Sequence, residues 1–241
     1  MKVMKFGGTS VGSPDRMKNV ASLITESGDP TFVVLSAMSG TTNSLIEISN
    51  YLYKKNPDGA NEVINTLEKK YMQHVEELYS TDEYKEKTRE FLREEFKYMR
   101  SFTKDIFTSF EEKSIVAQGE IMSTNMVLNY LQEQGIKATL LSAFDFMRTD
   151  KNAEPDAQYI KEKLTAIMAE NEGYQIYITQ GFICLNAYGE IDNLQRGGSD
   201  FTASLIGVAL GAEEIQIWTD IDGMHNNDPR IVDETDAIRQ L

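Results

Sequence analysis

Val3-Met4-Lys5-Phe6-Gly7-Gly8-Thr9-Ser10 opens the chain with a short apolar run that ends in two adjacent glycines. A helical pattern follows from Asp15, and strand, glycine turn and helix in that order are the opening unit of a layered α/β domain. Four further runs, at 32–35, 138–141, 175–179 and 214–218, repeat the strand signal, and several are apolar on both faces, as strands of a helix-covered parallel sheet are. Between the runs, apolar residues recur at helical spacing over 15–25, 42–54, 61–79, 82–106, 119–134, 156–169 and 199–210. The alternation predicts an α/β fold.

Two stretches interrupt it. Residues 58–113 read as two long charged helices with no strand between them, a helical insertion on the α/β core. Glu86, Glu90 and Glu94 fall four apart with Arg89 and Arg93 beside them, the pattern of a solvated, ion-paired face, although a partner-binding hairpin would carry the same charges. Residues 181–192 read as a β-hairpin turning at Tyr188-Gly189-Glu190.

Composition removes several function classes. The 241 residues are 41% hydrophobic, enough to fill a core, so disorder is excluded. The net charge is −14 and no segment forms a basic face, which sets nucleic-acid binding aside. The longest apolar stretch, 203–212, is too short to span a bilayer, and the N-terminus lacks the pattern of a signal peptide. A lone Cys184 fits a reducing, cytoplasmic location. His74 and His225 have no ligand-spaced partners, so no protein-held metal is expected.

Five strings could carry chemistry. Lys5-Phe6-Gly7-Gly8-Thr9-Ser10 offers backbone N–H groups to an anion and a lysine as point charge, without the order of a Walker loop; ordinary turn chemistry uses the same glycines. Arg196-Gly197-Gly198-Ser199-Asp200 opens an apolar helix, with Ser199 a candidate N-cap and Arg196 able to grip a carboxylate. Thr219 and Asp220 follow the strand at 214–218, at the end where open α/β sheets bind ligands. Leu35-Ser36-Ala37-Met38-Ser39-Gly40-Thr41-Thr42-Asn43 runs from strand through small hydroxyl residues into a helix, which suits a small polar ligand or plain capping. In Gln118-Gly119-Glu120, the glutamate is expected in the first turn of a helix, as a dipole partner or an ammonium ligand.

Together these strings, with Met147-Arg148-Thr149, Ala153-Glu154-Pro155 and Asp228-Pro229-Arg230, resemble the catalytic domain of the aspartate kinases, in the amino acid kinase superfamily. The matches run in the family's order from residue 5 to residue 230. The resemblance implies a three-layer αβα sandwich of the carbamate kinase-like type. It also implies transfer of the ATP γ-phosphate to the β-carboxylate of L-aspartate, giving 4-phospho-L-aspartate for lysine, threonine and methionine biosynthesis. Lys5 with the Gly7 and Gly8 amides would hold the transferring phosphate, and Asp200 would organise Lys5. The acceptor's carboxylate would sit on Arg196, its ammonium on Glu120, and its other oxygens against Ser36, Thr42, Gly197, Gly198 and Ser199. Thr9, Thr219, Asp220, His225 and Arg230 would line the ATP site, with Mg2+ held mainly by phosphates and water.

The sequence departs from that family at His225, where a tyrosine is usual, and stops before the family's Phe-Gly-Ala-Lys segment and ACT regulatory domains. A catalytic domain truncated at its C-terminal end, from a homo-oligomeric parent, is therefore expected. Glutamate, carbamate and nucleoside monophosphate kinases remain as relatives, and a non-catalytic nucleotide-binding module as a different class. Glu120 and Thr42 favour an amino-acid acceptor.

Overall fold

The computed structural model describes residues 1–104, 106–194, 197–220, 223, 226–227, 231–232 and 234–238. Five parallel strands form the central sheet: β1 (Lys2–Phe6), β2 (Thr31–Leu35), β3 (Ala138–Leu140), β4 (Ile176–Gln180) and β7 (Glu214–Trp218), in spatial order β3-β4-β2-β1-β7. β2 and β4 are buried at every position, whereas β7, at the sheet's edge, is mostly exposed.

Side chains alternate across the strands and sort the helices into two layers. Met4, Phe6, Val33, Leu35, Ile176 and Ile178 join one apolar cluster, which is covered by α1 (Pro14–Thr25), α2 (Thr41–Tyr53), α3 (Pro57–Leu78), α4 (Asp82–Ser101) and α5 (Ser109–Glu133). Val3, Phe32, Val34 and Tyr177 point the other way, toward α6 (Ala143–Phe146), α7 (Ala157–Glu170) and α8 (Gly198–Leu210). The result is a three-layer αβα sandwich, in line with the expected fold class. A short antiparallel pair, β5 (Ile183–Leu185) with β6 (Ile191–Asn193), forms the hairpin. None of the described helices is long and apolar enough to cross a membrane.

α3 and α4 are not an appendage on the surface. Tyr71 and Phe96 are fully buried in the same cluster as Met4 and Phe6, and their rings meet edge to face at 5.8 Å. The outer face carries the ion pairs Glu86 with Arg89 and Arg93, and Arg89 ties across to Glu76 on α3.

Three sequence expectations are corrected. The helix expected to run to 106 ends at Ser101 and tightens into a 3-10 turn, Phe102–Lys104. The helix expected from 119 begins ten residues earlier, where Thr108 and Glu111 form a capping box. Glu120 therefore lies mid-helix and not in a first turn. Ser199 is not an N-cap either: α8 is capped by Gly197 in the left-handed region, φ 81°, with no side-chain cap.

Candidate functional site

A cavity of about 400 Å³ opens over the C-terminal ends of β1, β2 and β4. It is lined by Lys5, Gly8, residues 36–40, Thr42, Asn43, Glu120, Phe182 and 197–200.

Lys5 lies on the Val3 side of β1, so its side chain runs toward α8. Its Nζ sits 2.8 Å from Asp200 Oδ1, with the lysine 12% exposed and the aspartate about half exposed. Gly7 lies beside that ammonium, since a Cβ there would be 3.4 Å from Nζ. At Gly8 a Cβ would be 2.6 Å from the Ala37 carbonyl oxygen, so only glycine lets the loop after β1 pack on the loop after β2. The Ser39 N–H donates to the Gly8 carbonyl at 3.0 Å and joins the two loops.

Ser36 Oγ donates to Ser199 Oγ at 2.9 Å, which links the β2 loop to the start of α8. The peptide between Ser36 and Ala37 is gripped on both polar atoms by α5. Ser123 Oγ donates to the Ser36 carbonyl at 2.8 Å, and the Ala37 N–H donates to Glu120 Oε1 at 3.2 Å. Gly119 permits this approach, because a Cβ there would come within 2.7 Å of Ala37 Cβ.

Glu120 is 4% exposed, and among the described residues its Oε2 has no hydrogen-bond partner. Burial pushes its carboxyl up to about 8, opposed in part by the Ala37 N–H. A carboxylate in that place calls for a cation.

Two helix N-termini face the same cavity. α2 and α8 each begin from a left-handed glycine, Gly40 and Gly197, with no side-chain cap. Among the described residues no backbone acceptor takes the N–H of Thr42, Asn43, Gly198 or Ser199. Aligned dipoles at two helix ends favour anionic ligand groups.

The sequence reading missed Phe182. Its φ of 70° is unusual for a bulky residue, and both of its backbone polar groups are held: its N–H donates to Thr202 Oγ1 at 3.1 Å and its carbonyl accepts from the Leu194 N–H at 2.7 Å. Its ring packs against Gly198, where a Cβ would lie 2.8 Å from a ring carbon.

Thr9, Thr219 and Asp220 line a second hollow, of about 220 Å³, with Ser10, Arg16, Asn19 and Leu23. Phe6 stacks on Trp218 at its wall, with centroids 5.7 Å apart, and Arg16 donates to the Thr9 carbonyl. The glycine turn thus separates the site residues into two neighbouring groups. Arg196, His225 and Arg230 lie outside the described residues. Among the described residues no three His, Cys, Asp or Glu side chains converge as a metal site.

A helix-covered parallel sheet with a cavity at the carboxyl ends of its strands and two helix N-termini beside it defines an α/β domain of the ligand-binding kind. The chain belongs to the amino acid kinase family, whose model matches residues 1–241. It is 32% identical to lysine-sensitive aspartokinase 3 of Escherichia coli over 99% of this chain and 53% of that protein. Aspartokinase 1, chloroplastic, of Arabidopsis thaliana is 34% identical over 99% of this chain and 43% of its own length. The crystal structure of E. coli aspartokinase III in complex with aspartate and ADP superposes with a TM-score of 0.85 at 32% identity, covering 99% of this chain and 53% of that one. The chain spans about half the length of the curated relatives it matches.

Proposed function

We propose that this chain carries the catalytic unit of an aspartate kinase, transferring the γ-phosphoryl group of ATP to the β-carboxylate of L-aspartate. The observation that carries the reading is the pairing, in one cavity, of a lysine suited to a phosphoryl group with a buried carboxylate that has no cation partner among the described residues. The former fits the donor and the latter an α-ammonium. Similarity to a protein crystallised with aspartate and ADP supports the choice of substrates.

A β-carboxylate is ionised at neutral pH, so its oxygen attacks phosphorus without a general base. A new O–P bond forms, the bond between the γ-phosphorus and the bridging oxygen breaks, and ADP leaves with the electron pair. The obstacle is the meeting of two anions, so catalysis rests on positioning and on neutralising charge. In this reading Lys5 and the Gly7 and Gly8 amides hold the transferring group, and Asp200, 2.8 Å away, keeps the ammonium in place. Glu120 takes the substrate ammonium and Arg196 its α-carboxylate. Ser36, Thr42, Gly197, Gly198 and Ser199 bind the remaining oxygens. Thr9, Thr219, Asp220, His225 and Arg230 serve the nucleotide. Magnesium would travel on the ATP phosphates. The product would enter lysine, threonine and methionine biosynthesis in the cytoplasm.

Hydroxylamine converts an acyl phosphate to a hydroxamate, which makes the reading testable in the full-length protein. Hydroxamate should form only with ATP and aspartate together. Equal or better turnover with glutamate overturns the substrate assignment, and no product with either overturns the reaction.

A further inference from the structure

Ser39, Gly40 and Thr42 line the acceptor cavity, yet the turning point, Gly40, has φ 82° and nothing within 4 Å of where a Cβ would stand. Such a glycine does little to hold its own conformation. The residues on either side of it are each held by a side chain of α3, in addition to the backbone bonds of the Ser39 N–H to Gly8 and of the Thr41 N–H to Met38. Lys70 Nζ donates to the Ser39 carbonyl at 3.1 Å. The Tyr71 hydroxyl lies 3.0 Å from Thr41 Oγ1, with both side chains fully buried.

Tyr71 is more than core filling. A phenylalanine would pack on Phe96 as well, and a buried hydroxyl costs free energy unless it has a partner. That partner opens α2, next to Thr42 in the cavity wall. Burial raises the phenol above its ordinary range, so it stays a neutral hydroxyl. On the far side of the loop, α5 already fixes the Ser36–Ala37 peptide through Ser123 and Glu120. The loop is therefore clamped at both ends, with one clamp built from the helical insertion.

We infer that Lys70 and Tyr71 are positioning residues for the acceptor substrate, bracketing Gly40 so that the N-terminus of α2 faces the cavity. The inference rests on the proposed kinase reading and gives the α3–α4 insertion a part in it, through contact with the loop and not with substrate.

The test uses the full-length protein with Tyr71→Phe, Thr41→Val, the double variant and Lys70→Met, reading the KM of each substrate, kcat and Tm. Losing one hydrogen bond of this kind should raise the aspartate KM about three- to tenfold. The ATP KM should not change, kcat should stay within about twofold, and the double variant should be no worse than the weaker single. Lys70→Met, at a half-buried position, should shift the aspartate KM in the same direction, and it decides the matter if Tyr71→Phe does not fold. An unchanged aspartate KM in the folded variants overturns the inference, as does an equal rise in both KM values with a lowered Tm. If the unmodified protein forms no hydroxamate, the kinase reading falls and this inference with it. Activity without the KM shift removes the inference alone.

Discussion

Glu120 shows how one residue's surroundings set a measurable property. With its carboxyl pushed up to about 8, most of the empty sites carry a proton at pH 7. A substrate ammonium needs the ionised form, so aspartate binding should expel nearly one proton at that pH. Calorimetry in two buffers of different ionisation enthalpy measures it. Aspartate affinity should fall on acidification below pH 8, approaching about tenfold per unit well below that value. Glu120→Gln should bind aspartate far more weakly and lose that slope. Zero proton uptake or release would refute the ammonium role. The ligand-free protein should show the linked stability effect. The folded state keeps this proton up to about pH 8 while the unfolded chain releases it near 4.5, so this group lowers stability as pH rises between those values. The residue type was legible in the sequence, but its environment was not: Ser109–Gln118 adds nearly three turns before Glu120, and the signal for that start was the capping box Thr108 to Glu111.

At the scale of elements, α5 is placed against the β2 loop by the absence of a side chain. A mid-helix glycine costs up to about 1 kcal/mol relative to alanine, which is why Gly119 reads as a helix boundary in sequence. The structure supplies the reason for its presence, a Cβ at 2.7 Å from Ala37 Cβ. Gly119→Ala should therefore destabilise the fold by about 1–3 kcal/mol through overpacking, despite the better helix propensity, and raise the aspartate KM by displacing Glu120 and the Ser36–Ala37 peptide. Adding Ala37→Gly to it should restore most of both losses, because one methyl has moved across the same contact. Urea unfolding and substrate titration of the two variants provide the check; failure of the second change to rescue would mean that the crowding is elsewhere. Strands and helices were readable here because period and length report burial directly. The left-handed backbone of Phe182 was not, since it is imposed by Thr202 and Leu194, distant in sequence.

Across the whole molecule, alternation of strand and helix signals was enough for a parallel, two-sided sheet, but the order β3-β4-β2-β1-β7 depends on crossovers that no local pattern encodes. Charge follows the same division between total and placement. The chain carries −14, and residues 186–241 hold only three basic residues, Arg196, Arg230 and Arg239. Yet the proposed substrates are both anions. Two ranges of interaction then compete. Lys5, inside the cavity and only 12% exposed, acts on a bound ligand over a few ångströms, where salt screens weakly. The excess carboxylates act from the surface over tens of ångströms, where screening is strong: the Debye length drops from about 30 Å at 0.01 M salt to about 10 Å at 0.1 M. Raising the ionic strength through that range should remove mostly repulsion. The aspartate KM should fall, roughly two- to fivefold, through faster association at unchanged kcat. Initial rates in a potassium chloride series at constant free magnesium measure it. A KM that climbs with salt would mean that local cations govern capture from a distance, and that the acidic surface has no part in substrate encounter.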